Sequence, residues 1–385
     1  MKHITIELRG VEFHNKGAEL MLYAILDKIR KELPSAEFVM EKTTSAPIFK
    51  QRAVGIYTKL NFKKFGLNAA VLGKLIPAAL RKKMGFILEK DIDVVLDGSG
   101  FAFGDFWGAK KAGLRLADHI EQWKREGKKV IMLSQAFGEF EDAALKEKMQ
   151  IIINNADLIF ARDKYSHMFI KNIEVKKSNI HLRPDFTNLI KGKVPAYFNP
   201  ETHQIGIIPN NKIVESKTFA NREDYLEFLK TVVELISSKQ ERPFFLIHEG
   251  VKDLKLAEDV NKILEYPIPV LTVDDPLHVK GIIGASKGLV TSRFHGLVSA
   301  LSQGIPCLCI GWSHKYLALM EDYGYPEGLI KDESLAGEEL VLKLNLILNL
   351  DSVTKIRERL MLESIKQKEL SEDMWKMVIK EIQSN

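Results

Sequence analysis

Two polar residues with complementary chemistry, Arg293 and His295, lie two apart where an apolar segment meets a helical one, within TSRFHGLVSALSQGIPCLCIGWSHKY (residues 291–316). Thr291 or Ser292 would be a good N-cap, which places both residues in the first turn of a helix that Gly304 ends. A cation at a helix N-terminus is unfavourable unless a negative group lies there too. The pair therefore predicts a bound anion, and the alternative is an ordinary helix start.

Two further segments carry glycines and polar residues directly after apolar runs. In HNKG, Asn15 and Gly17 enter a helix whose N–H groups would favour an anion, although an N-cap is the more common role of such an asparagine. In DGSGFAFGD, Gly98, Ser99 and Gly100 form a loop that would let a ligand approach the backbone. The loop lacks the Lys-Ser/Thr ending of a P-loop, and its G-x-G lacks the third glycine at the spacing of a dinucleotide-binding motif. It is therefore only a weak signal for a sugar or phosphate site.

Single polar residues at other strand ends complete the candidate set. Gln135 ends one apolar run and would project a neutral amide into a ligand site. Arg162 could present its guanidinium to a carboxylate or phosphate, or pair with the neighbouring Asp163. Asn210 and His248 follow apolar runs in the second half of the chain.

These positions require short apolar strands that alternate with helices, the pattern of βαβ units in largely parallel sheets. The strands are predicted at residues 4–8, 37–40, 92–96, 130–133, 158–161, 180–182, 204–208, 244–247, 270–273, 288–291 and 306–310. The segment KGKVPAYFNPET has two prolines and no periodicity, so it is predicted to be a linker.

We therefore predict an α/β protein with two Rossmann-like domains, residues 1–192 and residues 200–350, whose mostly parallel sheets face a shared cleft. Ligands bind at the carboxyl ends of such strands. Residues 351–385 are predicted to form a long helix, or a pair, that packs on the body or returns to the first domain.

Composition narrows the class of protein. The 385 residues are 45% hydrophobic and carry a net charge of +5, with no apolar run of the roughly 18 residues that a membrane span needs. The start MKHITIELRG lacks the features of a secretory signal, which favours a cytoplasmic location. Cys307 and Cys309 lie two apart in one predicted strand, which argues against a disulfide framework or a zinc site. No carboxylate cluster calls for a metal.

The positive charge is concentrated in residues 49–83, which contain nine Lys and Arg residues and no Asp or Glu, interleaved with apolar residues. One interpretation is a solvated helical face with its core side. The other is a basic amphipathic surface that lies on anionic phospholipid, at the inner face of the cytoplasmic membrane, or on a polyphosphate-bearing substrate. No recognised nucleic-acid motif accompanies the charge.

The motifs occur in an order that resembles the polysaccharide pyruvyl transferase family, which is also met in colanic-acid and cell-wall polymer biosynthesis. The similarity runs from Gly10 to about Tyr316 and rests on FHNKGAELML, DGSGFAFGD, SQAFGEF, ARDKYS, RPDF and the segment at residues 291–316. It implies a glycosyltransferase-B-like architecture. It also implies transfer of a pyruvyl group from phosphoenolpyruvate to a sugar residue of a polysaccharide or lipid-linked oligosaccharide, which forms a ketal and releases phosphate, with no further cofactor.

The resemblance matches Arg293, His295 and Arg162 to residues of the family's donor site. Phosphoenolpyruvate carries about three negative charges, so two arginines from opposite domains would suit it. Histidine titrates near neutral pH, and His295 is the hypothesised proton donor.

Other residues fill the remaining roles in this hypothesis. His248 and His314 are the second choices for deprotonating the acceptor, and Lys315 would neutralise the leaving phosphate. The resemblance puts the acceptor on the side of the first domain, residues 1–192, near Asn15 and residues 98–104, and the donor on the side of the second domain, residues 200–350. Two departures concern the acceptor: Ala18 precedes Glu19 where an acidic residue often follows the glycine directly, and GWSHKY has Trp and His where Tyr and Pro are common.

Two alternatives stay open. A nucleotide-sugar-dependent glycosyltransferase of the same fold could use Glu249 or Asp253 to hold the ribose. A non-catalytic module could instead recognise acidic glycans or membrane-bound partners.

Overall fold

The computed structural model describes residues 3–61, 63–64, 67–68, 73–173, 179–216, 218–311, 313–331 and 335–384. The chain forms two compact units: Met1–His14 with Met21–Asp185 and Glu372–Asn385, and Asn15–Leu20 with Phe186–Ser371. The boundary therefore lies at residue 185 instead of in the expected linker, and residues 191–199 belong to the second unit. Residues 15–20, expected in the first domain, belong to the second unit as well.

The first unit is built on a nine-stranded sheet whose strand pairs are all parallel. Among the described residues up to position 185, the strands are β1 Thr5–Arg9, β2 Glu37–Met40, β3 Tyr57–Lys59, β4 Lys63–Lys64, β5 Leu67–Asn68, β6 Phe86–Ile87, β7 Val94–Asp97, β8 Phe101–Phe103, β9 Lys129–Phe137, β10 Leu158–Ala161 and β11 Ile180–Leu182. The sheet order is β11-β10-β9-β7-β1-β2-β3-β6, with β8 also paired to β9, and β4 and β5 form a separate antiparallel pair. The central strands are buried on both faces, as expected for a parallel sheet covered by helices.

The helices described in this part of the chain are α1 Lys16–Glu32, α2 Ile48–Ala53, α3 Ala78–Lys83, α4 Gly108–Ala112, α5 Ile120–Arg125, α6 Ala143–Asn155 and α7 Lys164–Lys171. Of these, α4 to α7 contribute apolar residues to a core cluster that they share with the sheet. A π-helical turn, Gly113–Ala117, continues α4, and a 3₁₀ turn spans Glu89–Asp91. Asp142 and Asp163 cap α6 and α7 by accepting a backbone N–H each, which fixes where these helices begin.

The second unit contains a six-stranded parallel sheet of order β14-β13-β12-β15-β16-β17. Its strands are β12 Ile205–Ile208, β13 Pro243–Ile247, β14 Val270–Thr272, β15 Gly288–Thr291, β16 Cys307–Ile310 and β17 Leu329–Ile330. The chain runs outward from β12 through β13 to β14, then resumes at β15 on the other side of β12. The strand order thus reverses between β12 and β15, and open α/β sheets bind ligands beyond the carboxyl ends at such a point.

Helices on both faces of this sheet bury two apolar clusters. They are α8 Asn211–Glu215, α9 Arg222–Ser238, α10 Gly250–Ile263, α11 Pro276–Ala285, α12 Phe294–Leu301, α13 His314–Asp322, α14 Gly337–Leu348 and α15 Leu350–Gln383, with 3₁₀ turns at Phe186–Asn188 and Pro326–Gly328. The C-terminal segment is thus one helix of 34 residues, and residues 372–385 group with the first unit.

The basic stretch at residues 49–83 is not the single helix that the first interpretation required. Its described parts comprise helix α2, strands β3, β4 and β5, and helix α3, while residues 62, 65–66 and 69–72 lie outside the described residues. Several of its cations are paired internally: Lys59 with Glu7, and Arg81 with Asp91 at 2.7 Å. No helix in the described ranges has both the length and the apolarity of a membrane span.

Cys307 and Cys309 lie in one strand, β16, as predicted, and both are buried free thiols. Burial raises the pKa of both thiols, so they behave as small apolar core residues. Within the described residues no group of His, Cys, Asp and Glu side chains is arranged to hold a metal.

Candidate functional site

The carboxyl edge of the second sheet gathers several of the predicted site residues. Asn210 follows β12, His248 follows β13, Arg293 follows β15, and His314 and Lys315 open the helix that follows β16. Because all four strands are parallel, their carboxyl ends lie at one edge. This edge is the candidate site of the second unit.

Arg293 is the N-cap of α12 and not a residue of its first turn. Its backbone N–H donates to Thr291 Oγ1 at 3.0 Å. Its guanidinium donates from Nε and Nη2 to Asp253 Oδ2 at 3.0 and 2.5 Å, and from Nη1 to Glu249. Two carboxylates of the protein therefore balance this cation, so its place at the helix N-terminus does not by itself require a bound anion, and the predicted anion stays a prediction.

The two carboxylates differ in exposure. Asp253 is fully buried, and burial raises the pKa of its carboxyl while Arg293 opposes that rise. The Glu249 side chain is 23% exposed. Asp253 therefore orients the guanidinium, whereas Glu249 is a partner that a ligand anion could displace. Three of the five guanidinium N–H groups make these bonds, and two are left to donate.

A buried hydrogen-bond network fixes the backbone just before Arg293. The carbonyl of Ser292 accepts from Asn210 Nδ2 at 2.7 Å and from the Tyr316 hydroxyl at 3.2 Å. Asn210 Oδ1 accepts the Lys212 N–H at 2.9 Å, so both ends of this amide are used internally. Asn210, expected to bind substrate, instead positions the arginine loop. The Tyr225 hydroxyl accepts the Asn210 N–H, and burial raises the pKa of Tyr225 to about 12.

His295 packs against the start of α1. A Cβ added to Gly17 would lie 2.2 Å from His295 Nδ1, so only glycine leaves room for the imidazole in this position. Asn15 Oδ1 accepts the N–H groups of Gly17 at 2.9 Å and Ala18 at 3.2 Å, which is an N-cap. Asn15 and Gly17 were expected on the acceptor side, but the structure places them beside His295.

His248 is buried, and its Nδ1 has no hydrogen-bond partner within the described part of the chain. Burial holds the pKa of this imidazole well below its usual value, and the charges of Arg293, His295 and Lys16 lower it further. His248 is therefore neutral at pH 7 and can accept a proton or a hydrogen bond.

Lys315 is buried beside the same loop. Its ammonium lies 5.4 Å from the ring centroid of Phe294 and 5.3 Å from that of Tyr316. Aromatic faces favour a cation at this distance. His314 precedes it as the first residue of α13, so both follow β16 as predicted.

The first unit holds Arg162 in a different ion pair from the one considered. Arg162 Nη1 donates to Asp185 Oδ2 at 3.0 Å, and both side chains are buried. Asp163 instead caps α7, accepting the Ser166 N–H and hydroxyl at 2.8 Å each. The Arg162 backbone N–H also donates to the Gln135 carbonyl at 2.9 Å.

The glycine loop after β7 is shaped by internal packing. Ser99 donates from its N–H and hydroxyl to Asp97 at 3.2 and 3.0 Å. Gly100 has a φ of +68°, and a Cβ on Gly98 would contact Val11 and Ile25. Gln135, expected to project its amide into a ligand site, lies inside β9 and not at its end. It is buried, and its Nε2 donates to Asp97 Oδ1 at 3.1 Å, which holds this loop.

A family model for polysaccharide pyruvyl transferase matches residues 15–314, which include Arg162 and the residues of the second unit's candidate site other than Lys315. The chain belongs to the polysaccharide pyruvyl transferase family. It is accordingly a transferase of polysaccharide biosynthesis.

Solved structures with the same fold show how this pyruvyl transferase family member is built. UDP-GlcNAc 2-epimerase from Neisseria meningitidis, bound to UDP-GlcNAc, aligns with a TM-score of 0.61 at 12% identity over 99% of this chain and 100% of the epimerase. HepE from Anabaena, in complex with UDP-glucose, aligns with a TM-score of 0.56 at 11% identity over 98% and 99% of the two chains. The predicted fold class, α/β with two parallel sheets and a glycosyltransferase-B-like architecture, is confirmed.

Sequence reasoning missed the acidic partners of both arginines in this transferase. Asp253 and Glu249 had been considered only as ligands for a ribose, and Asp185 only as part of the RPDF motif. These partners lie 40, 44 and 23 residues from the arginines they bind. The available signal was the spacing of Asp253 from Leu256, Ala257 and Val260, which puts this carboxylate on the apolar face of α10, where a charge requires a partner.

Proposed function

We propose that this family member transfers a pyruvyl group from phosphoenolpyruvate to a sugar residue of a polysaccharide or lipid-linked oligosaccharide, forming a ketal and releasing phosphate. The observation that carries the proposal is the group of basic side chains at the carboxyl edge of the second sheet, Arg293, His295 and His248, within the region that the family model matches.

Arg293 is the proposed ligand of the donor's anionic groups. Asp253 holds the guanidinium in place, and two N–H groups remain for a carboxylate or phosphate. If the donor displaced Glu249, a third N–H group of Arg293 would become free to bind it. An arginine oriented in advance loses less side-chain entropy on binding than a mobile one.

The reaction consumes two sugar hydroxyls and needs two proton transfers. C3 of the enol gains a proton, C2 is attacked by the first hydroxyl oxygen, the bond from C2 to the phosphate oxygen breaks, and the second hydroxyl oxygen bonds to C2. The two hydroxyl protons balance the one gained by C3 and the one carried away by phosphate. We assign the C3 proton to His295 and acceptance of a hydroxyl proton to His248, whose low pKa keeps it neutral.

Arg162 is proposed as a further donor ligand on the family resemblance. In the first unit its guanidinium is buried and bonded to Asp185, which fixes its orientation. Arg162→Lys keeps the charge but loses the planar fork, so we expect phosphoenolpyruvate affinity to fall while the protein stays folded.

A nucleotide-sugar-dependent glycosyltransferase is the second candidate, favoured by the shared fold with proteins solved with UDP-glucose and UDP-GlcNAc. It requires a carboxylate free to hold the ribose, whereas Glu249 and Asp253 are bonded to Arg293.

Thermal-shift titration separates the candidates, because a ligand that binds only the folded state raises Tm. We expect phosphoenolpyruvate to raise Tm and a panel of nucleotide sugars to leave it unchanged. The reverse result would favour the glycosyltransferase, and no shift with either would favour a non-catalytic glycan-binding module.

We further propose that the acceptor is met at an anionic membrane surface, through residues 49–83. Phe49, Leu75 and Leu80 are 71%, 82% and 50% exposed in this stretch, and Lys74 and Lys83 are exposed beside them in sequence. Exposed apolar and cationic side chains together suit the headgroup region of a bilayer.

A further inference from the structure

A cavity of about 470 Å³ opens at the carboxyl ends of β1 and β2 in the first unit. Arg9 is the last residue of β1, and Glu41 directly follows β2. The remaining polar lining comes from Trp107, Lys110, Lys111 and Arg115, which belong to α4, the residue before it and the π-helical turn after it. The cavity thus lies at the edge where parallel sheets bind ligands.

The lining carries more positive than negative charge. Arg9 is balanced by Glu7 at 2.8 Å and Glu41 at 3.3 Å. Lys110, Lys111 and Arg115 form no ion pair with any residue that the structure describes. Burial and the charge of Arg115 lower the pKa of Lys111, and Glu12 opposes this only in part. An anionic ligand would relieve this repulsion.

The π-helical turn Gly113–Ala117 brings Arg115 to the cavity and is held there by Arg9. The Arg9 guanidinium donates from Nε to the Arg115 carbonyl at 3.0 Å and from Nη2 to the Leu114 carbonyl at 3.2 Å. Turns of this kind are rare and frequently lie at functional sites, because they cost helix stability. Arg115 therefore lies on a specific hydrogen-bonded turn at the cavity and not on a regular surface helix.

Trp107 adds an aromatic surface to the cavity. The Lys111 ammonium lies 3.6 Å from the centroid of the indole ring. The indole N–H is buried, and it has no acceptor within the described ranges. An aromatic ring, an N–H donor and unbalanced cations together suit a sugar that carries an anionic group.

We propose that this cavity binds an acidic sugar residue of the acceptor, one that bears a phosphate or a carboxylate. The proposal rests on the proposed transfer to a glycan, and it assigns the acceptor's charge to the first unit, separately from the donor residues of the second. The same chemistry could come from a sugar phosphate, as in a lipid-linked precursor, or from a uronic acid.

Isothermal titration of the full chain tests the cavity with three probes: glucose 1-phosphate, glucuronic acid and glucose. Phosphoenolpyruvate is present throughout, so that the donor residues are occupied. We expect at least one acidic sugar to bind about tenfold or more tightly than glucose. A preference for glucose 1-phosphate identifies a phosphate, and a preference for glucuronic acid identifies a carboxylate.

The variant Lys111→Gln with Arg115→Gln is expected to lose about tenfold or more of that affinity, because charge-assisted hydrogen bonds are lost. Lys146→Gln, an exposed lysine on α6, is the matched control and should bind as wild type does. Circular dichroism checks that each variant folds.

The proposal is overturned if glucose binds as tightly as both acidic sugars, if none of the probes binds, or if the double variant keeps wild-type affinity. Titration of phosphoenolpyruvate alone is a separate measurement. Its failure, with binding of an acidic sugar retained, refutes the donor assignment and leaves the cavity assignment standing.

Discussion

Gly17→Ala is expected to impair turnover while leaving the fold and donor binding intact. The added Cβ would lie 2.2 Å from His295 Nδ1 and 2.9 Å from His295 Cγ, whereas an ordinary contact needs about 3.5 Å. The imidazole must therefore move by roughly 1 Å. A misplacement of that size at a reacting group can cost about 100-fold in rate, which corresponds to about 2.7 kcal/mol.

Gly17→Ala should change the stability of the protein much less than its turnover rate. The imidazole is a side-chain end that can move, and alanine favours a helix over glycine by up to about 1 kcal/mol. We therefore expect Tm to change by only a few degrees and the Kd for phosphoenolpyruvate to stay near the wild-type value. Steady-state kinetics and calorimetry measure these three quantities on the same preparation.

A double-mutant cycle with His295→Ala provides the control. If Gly17 acts through His295, adding Gly17→Ala to His295→Ala should change kcat no further. A wild-type kcat for Gly17→Ala would refute the reasoning. A further loss of similar size in the His295→Ala background would refute it too, since Gly17 would then act by another route.

Three other outcomes are expected. Asp253→Asn should lower the free energy of unfolding by about 3 kcal/mol, because it leaves a largely buried arginine without its carboxylate. Glu249→Gln should lower the free energy of unfolding by less than about 1 kcal/mol, because Glu249 is partly exposed. Urea titrations measure both values, and equal losses would contradict the assigned roles. His248 has a lowered pKa in the folded state, so its contribution to stability is complete above the unfolded pKa of about 6.5 and is lost as pH falls below that value. Stability measured between pH 7.5 and 5.5 should therefore fall less in His248→Gln than in wild type, and identical slopes would argue against a buried neutral imidazole. Binding to phosphatidylglycerol vesicles should weaken with added salt and in Leu80→Ser with Lys83→Gln, and equal binding to neutral phosphatidylcholine vesicles would exclude the electrostatic part of the membrane proposal.

Much of the fold could be predicted because each central strand is a short apolar run between turn signals. The bounds of β2, β10, β11 and β15 match the predicted residues, and the other central strands differ at their ends. The short strands β3, β4, β5, β6, β8 and β17 were not predicted. Each has only two or three residues, which carry too little apolar periodicity to be recognised without the neighbouring strands.

The positions of the site residues could be predicted, but not their partners. His248 and Arg293 follow strands, and parallel strands bring their carboxyl ends to one edge. Which carboxylate reaches Arg293 depends on how α10 packs against β13 and β14, and that is decided by tertiary contacts instead of local spacing. The same holds for Gly17, whose proximity to His295 joins residues 278 apart in the chain.

The central claim is transfer of a pyruvyl group from phosphoenolpyruvate. Its most direct test is mass spectrometry of candidate lipid-linked oligosaccharides after incubation with this protein and phosphoenolpyruvate labelled with carbon-13 at C2. The account predicts an oligosaccharide that gains the mass of one labelled pyruvate less one water, with phosphate released in equal amount, and no such product with His295→Ala. Unchanged oligosaccharides with phosphoenolpyruvate, together with sugar transfer from a nucleotide sugar, would contradict it.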